Sequence, residues 1–168
     1  MAVANISYRT STTITIAPEN VASSTTFLAG VESNVYDNTS NKDFDVMIGG
    51  VWTSGTTPTI NTEVRIYVIA ARDDTPTWPD VFDGTSSAET VTSDGVGRGF
   101  MKLAATLFVD STTSSRAYEC GLFSVKSLFG GILPGKFVLF ITHNSGVNSN
   151  TTVGNHVWKA TGVNYTIV

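Results

Sequence analysis

The stretch Thr62 to Arg72, TEVRIYVIAAR, decides the fold. Val64, Ile66, Val68 and Ala70 fall on one side of an extended chain, and Arg65, Tyr67 and Ile69 on the other. Successive side chains of a strand point to opposite faces, so this alternation of β-branched and aromatic residues predicts a β-strand. A turn-rich run, Ser54-Gly55-Thr56-Thr57-Pro58-Thr59, precedes it, and the acidic loop Asp73-Asp74-Thr75-Pro76 follows. The same grammar recurs to the last residue: short apolar strands separated by Ser, Thr, Asn and Gly. The expected class is all-β.

Working outward, Lys136 to His143, KFVLFITH, is apolar on both sides and reads as a central strand covered on two faces. In Lys42 to Ile48, Phe44, Val46 and Ile48 share one face and Asp43, Asp45 and Met47 the other; Gly49-Gly50 is expected to break this strand before Val51-Trp52-Thr53 resumes. Phe100 to Val109 fits a helical stripe as well as a strand, and its β-rich surroundings favour the strand. Tyr118 to Phe123 is another strand. Ser124 is placed to cap a short helix ending at Gly130-Gly131. Asn155 to Ala160 and Tyr165 to Val168 read as a closing pair. Residues 1–26 form an extended N-terminal arm in which Thr12 to Ala17 alternates, and residues 27–168 form one domain. Strands of this number and spacing predict an antiparallel β-sandwich of jelly-roll type. The long loop from Asp73 to Gly99 carries Trp78, Val81 and Phe82 and is expected to pack down.

Composition narrows the function. Only 14% of the 168 residues are charged, against about 25% in an average globular domain. Hydroxyls and amides cover the surface instead, which suits a face shielded by a partner. The net charge is −4 and the ten basic residues are scattered, so no footprint for nucleic acid forms. The most apolar run, Leu128 to Ile141, is interrupted by Gly130, Gly131, Pro134, Gly135 and Lys136, far short of the ~20 continuous residues a membrane helix needs. No basic, apolar leader is visible at Met1 to Arg9, which points to folding in a reducing cytoplasm. The single cysteine, Cys120, is read as a buried, inert thiol.

The candidate chemistry is thin. His143 and His156 flank Asn- and Gly-rich loops, but no third ligand stands at metal-binding spacing, and hydrogen bonding to loop backbone is the expected role. No G-x-S-x-G elbow is present. Gly95-Val96-Gly97-Arg98-Gly99 lacks the Lys-Ser/Thr ending of a phosphate loop and reads as a flexible turn. Asp73, Asp74, Asp80, Asp83, Glu89 and Asp94 offer oxygens of the kind Ca²⁺ prefers, without EF-hand spacing. Asp also starts turns in its own right. Trp52, Trp78 and Trp158 are candidates for stacking sugars, although packing is the usual role of tryptophan in a small sandwich. The four Asn-X-Ser/Thr matches are read as compositional. Neither a catalytic constellation, nor a cofactor, nor a metal site is expected.

Four segments carry a resemblance: Phe27-Leu28-Ala29-Gly30-Val31-Glu32-Ser33, Trp78-Pro79-Asp80-Val81-Phe82-Asp83-Gly84, Ser127-Leu128-Phe129-Gly130-Gly131 and Thr142-His143-Asn144-Ser145-Gly146-Val147. Over about Phe27 to Val168 the chain resembles small virion structural proteins of tailed bacteriophages, similar to capsid decoration or cement proteins. That resemblance implies a location on the capsid surface and two partners, the major capsid protein and further copies of this chain, as a trimer around local threefold positions. It names no catalytic residue. The interface candidates it suggests are Trp78, Val81 and Phe82 in one loop and Leu128, Phe129, Ile132 and Leu133 in another. In the arm, Thr13, Ile14 and Ile16 could add a strand to a neighbour's sheet. A tail or fibre module binding carbohydrate or a receptor is the alternative.

Overall fold

The computed structural model describes residues 4–73, 75 and 77–167; Asp74 and Pro76 of the acidic loop lie outside the described residues. In chain order the elements are β1 (Ala4–Tyr8), β2 (Thr12–Thr13), β3 (Ala29–Glu32), β4 (Tyr36–Asp37), β5 (Asp45–Thr53), β6 (Thr62–Ala70), β7 (Ala88–Thr90), α1 (Asp94–Gly97), β8 (Lys102–Val109), β9 (Ala117–Ser124), α2 (Val125–Leu128), β10 (Lys136–His143) and β11 (Val157–Ile167). They form two antiparallel sheets. One runs β1-β11-β5-β9, with β2 also on β11; the other runs β7-β3-β10-β6-β8, with β4 also on β10. This is an antiparallel sandwich, and the strand orders do not carry the finer jelly-roll label.

The alternation read in Thr62 to Arg72 sets the main core. Val64, Ile66 and Val68 of β6 are buried between the sheets with Val46, Ile48, Trp52, Tyr118, Phe137, Leu139, Ile141 and Trp158. On the opposite face of β6, Ile69 is equally buried, because the segment after β6 folds back over it. Phe82, Val91, Val138 and Phe140 join Ile69 in a second cluster, with Trp78, Val81 and Met101 at its margin. That explains why KFVLFITH is apolar on both faces: β10 has a core on each side. The expectation that the long loop packs down holds.

Several local expectations are corrected. Gly49-Gly50 does not break β5, which runs through with a bulge between Ile48 and Gly50. Gly50 pairs with Trp158 across the β5–β11 ladder. A Cβ on Gly50 would lie 2.5 Å from the Val157 carbonyl oxygen and 2.6 Å from the Trp158 ring, so the glycine makes room for the indole. Gly50→Ala is therefore expected to destabilise the fold by about 1–3 kcal/mol through overpacking, read as a lower urea midpoint. Phe44 does not join Val46 and Ile48 inside; it lies just before β5 and is exposed. The last two expected strands are one, β11, as far as Ile167; Val168 of the second lies outside the described residues.

There are also two short helices among the described residues rather than one. Ser124 caps α2 as expected, its Oγ accepting from the Ser127 N–H at 3.1 Å. The second is α1, in the run expected to be a flexible turn. Ser93 caps it and Arg98 pairs with Asp94 one turn away, at 2.6 Å. The alternative helical reading of Phe100 to Val109 is not realised: β8 is a strand.

Candidate assembly interface

The N-terminal segment is the edge of the first sheet. β1 pairs with β11 in register from Ala4↔Ile167 to Tyr8↔Val163, and the Arg9 N–H continues the ladder to the Gly162 carbonyl at 2.9 Å. In an antiparallel pair, residues exchanging both hydrogen bonds alternate with residues exchanging none. Counting back from Arg9, Ser7 and Asn5 bond β11. The main-chain N–H and C=O of Ile6 and Tyr8 therefore face away from β11, along an edge with no further strand among the described residues.

Side chains complete the surface. Directly opposed residues of a ladder share a face, which places Ile6 beside Tyr165, with Tyr8 two residues along. Ile6 is 61% exposed, Tyr8 69%, Tyr165 54% and Phe44 44%. The Phe44 and Tyr165 rings meet at 4.7 Å, tilted by 58°. The Lys126 ammonium sits 3.0 Å from the centroid of the Phe44 ring, a cation–π contact. Beside the patch, Arg9 reaches the buried Asp43 carboxylate at 3.6 Å, and the Tyr36 hydroxyl donates to the same carboxylate at 3.0 Å. Burial, reinforced by that carboxylate, pushes the Tyr36 hydroxyl up to about 12. The result is a contiguous aromatic and aliphatic patch along an open strand edge, rimmed by Arg9 and Lys126. These residues were missed in the sequence, although Ala4, Ile6 and Tyr8 alternating with Asn5 and Ser7 was a visible signal.

The expected interface residues are scattered. Ile14 is buried in the main core and Ile16 packs against it, so neither has a free side chain for a neighbour. Thr13 is exposed, where its hydroxyl meets Lys159 Nζ at 2.6 Å. Phe82 is buried in the second cluster, and Trp78 and Val81 pack on that cluster. Leu128, Phe129 and Leu133 pack on the main core, whereas Ile132 is 77% exposed. Of the two loops, only the tip at Ile132 offers a protruding apolar side chain.

The other candidates resolve into structure. Both histidines lie near Trp52, with ring centroids 5.1 Å (His143) and 6.3 Å (His156) from the indole. His143 bonds the Val21 carbonyl at 3.0 Å and the Ser145 hydroxyl at 2.9 Å. His156 accepts from the Thr53 N–H and faces the Asn150 carbonyl, both at 3.2 Å. Burial is the main cause that holds both below the usual histidine range, His143 at about 4. Neutral imidazoles at neutral pH thus tie loops to the sandwich end.

The acidic loop has a similar fate. Asp73 accepts from Thr77, Asp83 from the Thr85 N–H, and Asp80 from Thr92. Glu89 takes the Ser87 hydroxyl and Asp94 takes Arg98. These carboxylates organise their own turns, and no group of three or more metal-ligating side chains stands among the described residues. Trp52 and Trp158 are fully buried, which removes them as sugar-stacking surfaces. Burial pushes the Cys120 thiol up to about 11, so it is un-ionised at neutral pH.

No protein-family model, no curated protein and no solved structure matches the chain.

Proposed function

We propose that this chain is a structural protein of a tailed-bacteriophage particle, a capsid decoration or cement protein that binds the major capsid protein lattice and other copies of itself. The observation that carries this reading is the β1 edge. Ile6 and Tyr8 present main-chain groups that have no strand partner among the described residues, beside exposed Tyr165 and Phe44. Monomeric proteins usually blunt such an edge with lysine, proline or a bulge, and this strand has none of them. Strand addition supplies main-chain hydrogen bonds, while the aromatic patch supplies the desolvated anchors that dominate interface energy. On a lattice, many copies make modest single contacts sufficient. The resemblance in the Phe27, Trp78, Ser127 and Thr142 segments supplies the capsid; the edge supplies the means of attachment.

The double substitution Ile6→Lys with Tyr8→Lys tests the attachment. Both side chains are exposed and the bonds from Asn5, Ser7 and Arg9 to β11 remain, so the melting temperature is expected to stay within a few degrees. Binding to capsids lacking the protein is expected to weaken at least tenfold. Undiminished binding would remove the edge from the interface. Labelled electron microscopy that placed the protein on tails would overturn the capsid location and favour the receptor-binding alternative.

A further inference from the structure

A second feature lies on the outer face of the other sheet, remote in sequence from the β1 edge. A cleft of about 170 Å³ opens between the segment Thr26-Phe27-Leu28 and α1, over Arg65 and Tyr67 of β6 and with Met101 among its walls. We infer that this cleft binds one neutral pyranose, the terminal residue of a glycan. The inference is independent of where on a particle the protein sits.

Three observations carry it. First, the walls are fixed in advance. Phe27 sits at φ 58, a conformation uncommon outside glycine and worth a functional explanation. The loop is held there by Ser24: its carbonyl accepts from the Phe27 N–H at 3.1 Å, and its hydroxyl accepts from the Leu28 and Ala29 N–H groups, each at 3.2 Å. The ring stacks 3.7 Å from the Arg65 guanidinium carbon. Glu63 Oε2 clamps the same guanidinium through Nε at 2.9 Å and Nη2 at 2.8 Å. A side chain locked in this way loses little freedom when a ligand arrives.

Second, the rim balances its charge. Arg65 is matched by Glu63, and Arg98 by Asp94, both of whose contacts fall on Asp94 Oδ2 at 2.7 and 2.6 Å. A balanced rim gives an isolated anion or cation little electrostatic reason to settle. It does offer donors and acceptors side by side, and a sugar hydroxyl needs both.

Third, the cleft has a mixed lining in which Leu28, Tyr67 and Met101 offer apolar surface for a sugar's C–H face beside the polar Thr26, Arg65, Asp94 and Arg98. Leu28, Tyr67 and Met101 pack against the second core cluster. Gly97 lacks a Cβ that would lie 2.9 Å from the Met101 sulfur, so the thioether can fill this corner. Apolar surface beside convergent polar groups is the usual make-up of a small-ligand site. The volume suits a single ring rather than an oligosaccharide.

Saturation-transfer NMR of the full chain with the methyl glycosides of glucose, galactose, mannose and N-acetylglucosamine tests the inference, with acetate and phosphate as competitors. Saturation transfer to at least one glycoside is expected. Arg65→Gln should weaken it at least tenfold. Asp94→Asn, at an exposed position on the cleft rim, should weaken it severalfold without moving the melting temperature, which separates lost contacts from lost fold. No transfer to any of the four glycosides, equal transfer in both variants, or displacement of the glycoside by acetate or phosphate would each overturn it.

Discussion

Replacing Trp52 by alanine is expected to destabilise the protein by about 3–5 kcal/mol, the range for truncating a large buried aromatic side chain. Trp52 is fully buried at the end of β5. Its ring meets Tyr118 of β9 at 6.0 Å in its own sheet and His143 of β10 at 5.1 Å in the other. The substitution therefore removes contacts between the two sheets and the prop behind both histidines. Domains are stable by only about 5–15 kcal/mol, so the loss is a large fraction of the total. Urea unfolding followed by fluorescence of Trp78 and Trp158 should show a midpoint lowered by at least about 1 M. Trp78→Ala is expected to cost less, because Trp78 is only half-buried, at the margin of the second cluster. If the two variants unfolded at the same midpoint, Trp52 would not be the bridge between the sheets.

Stability between pH 4 and 7 is expected to be governed by two buried groups pulling in opposite directions. His143 titrates near 4 in the folded protein, against 6.5 for the free side chain, because burial disfavours the imidazolium. The unfolded chain thus binds the proton first, and His143's contribution is complete above pH 6.5 and lost as pH falls towards 4. The integrated loss is about 3 kcal/mol. Glu32 behaves inversely. Burial raises its carboxyl from 4.5 to about 7, even though the Gly84 and Asp83 N–H groups donate to it at 2.7 and 3.2 Å. Its folded pKa lies above its unfolded one, so its contribution is complete below pH 4.5 and lost as pH rises through 7, again by about 3 kcal/mol.

In the wild type these two effects largely offset one another, leaving a shallow profile, with His156 adding to the acid side. The substitution Glu32→Gln should unmask a fall of about 3 kcal/mol from pH 7 to 4. His143→Gln should unmask the opposite slope. Urea midpoints measured at intervals across this range read both. Parallel profiles for the wild type and the two variants would show that neither group titrates as described.

The strands were legible where local physics decides them. Thr62 to Arg72 announced β6 by alternation, and Lys136 to His143 announced a strand covered on both faces. Ser124 announced its own cap, because capping depends on residues three apart. Two of the misreadings share one cause, a partner distant along the chain. Gly49-Gly50 resembles a break until Trp158, more than a hundred residues later, is seen to need the space. Phe44 resembles a core residue until it is found outside, on Tyr165. The candidate interface was obscured in the same way. Ile6, Tyr8, Phe44 and Tyr165 come from three distant segments, and only strand pairing brings them to one edge. The run Gly95 to Gly99 is a separate case: its glycines argue for a turn, and the local Ser93 cap and the Asp94–Arg98 pair outweigh them.

By itself, then, the amino-acid order determined a β-rich chain of alternating strands, with its turns and one helix cap, since those follow from backbone geometry and near neighbours. Tertiary structure alone decided which strands lie together, which aromatic rings stay wet, and why two histidines remain neutral. Those outcomes depend on burial and on partners distant along the chain, which no local pattern encodes.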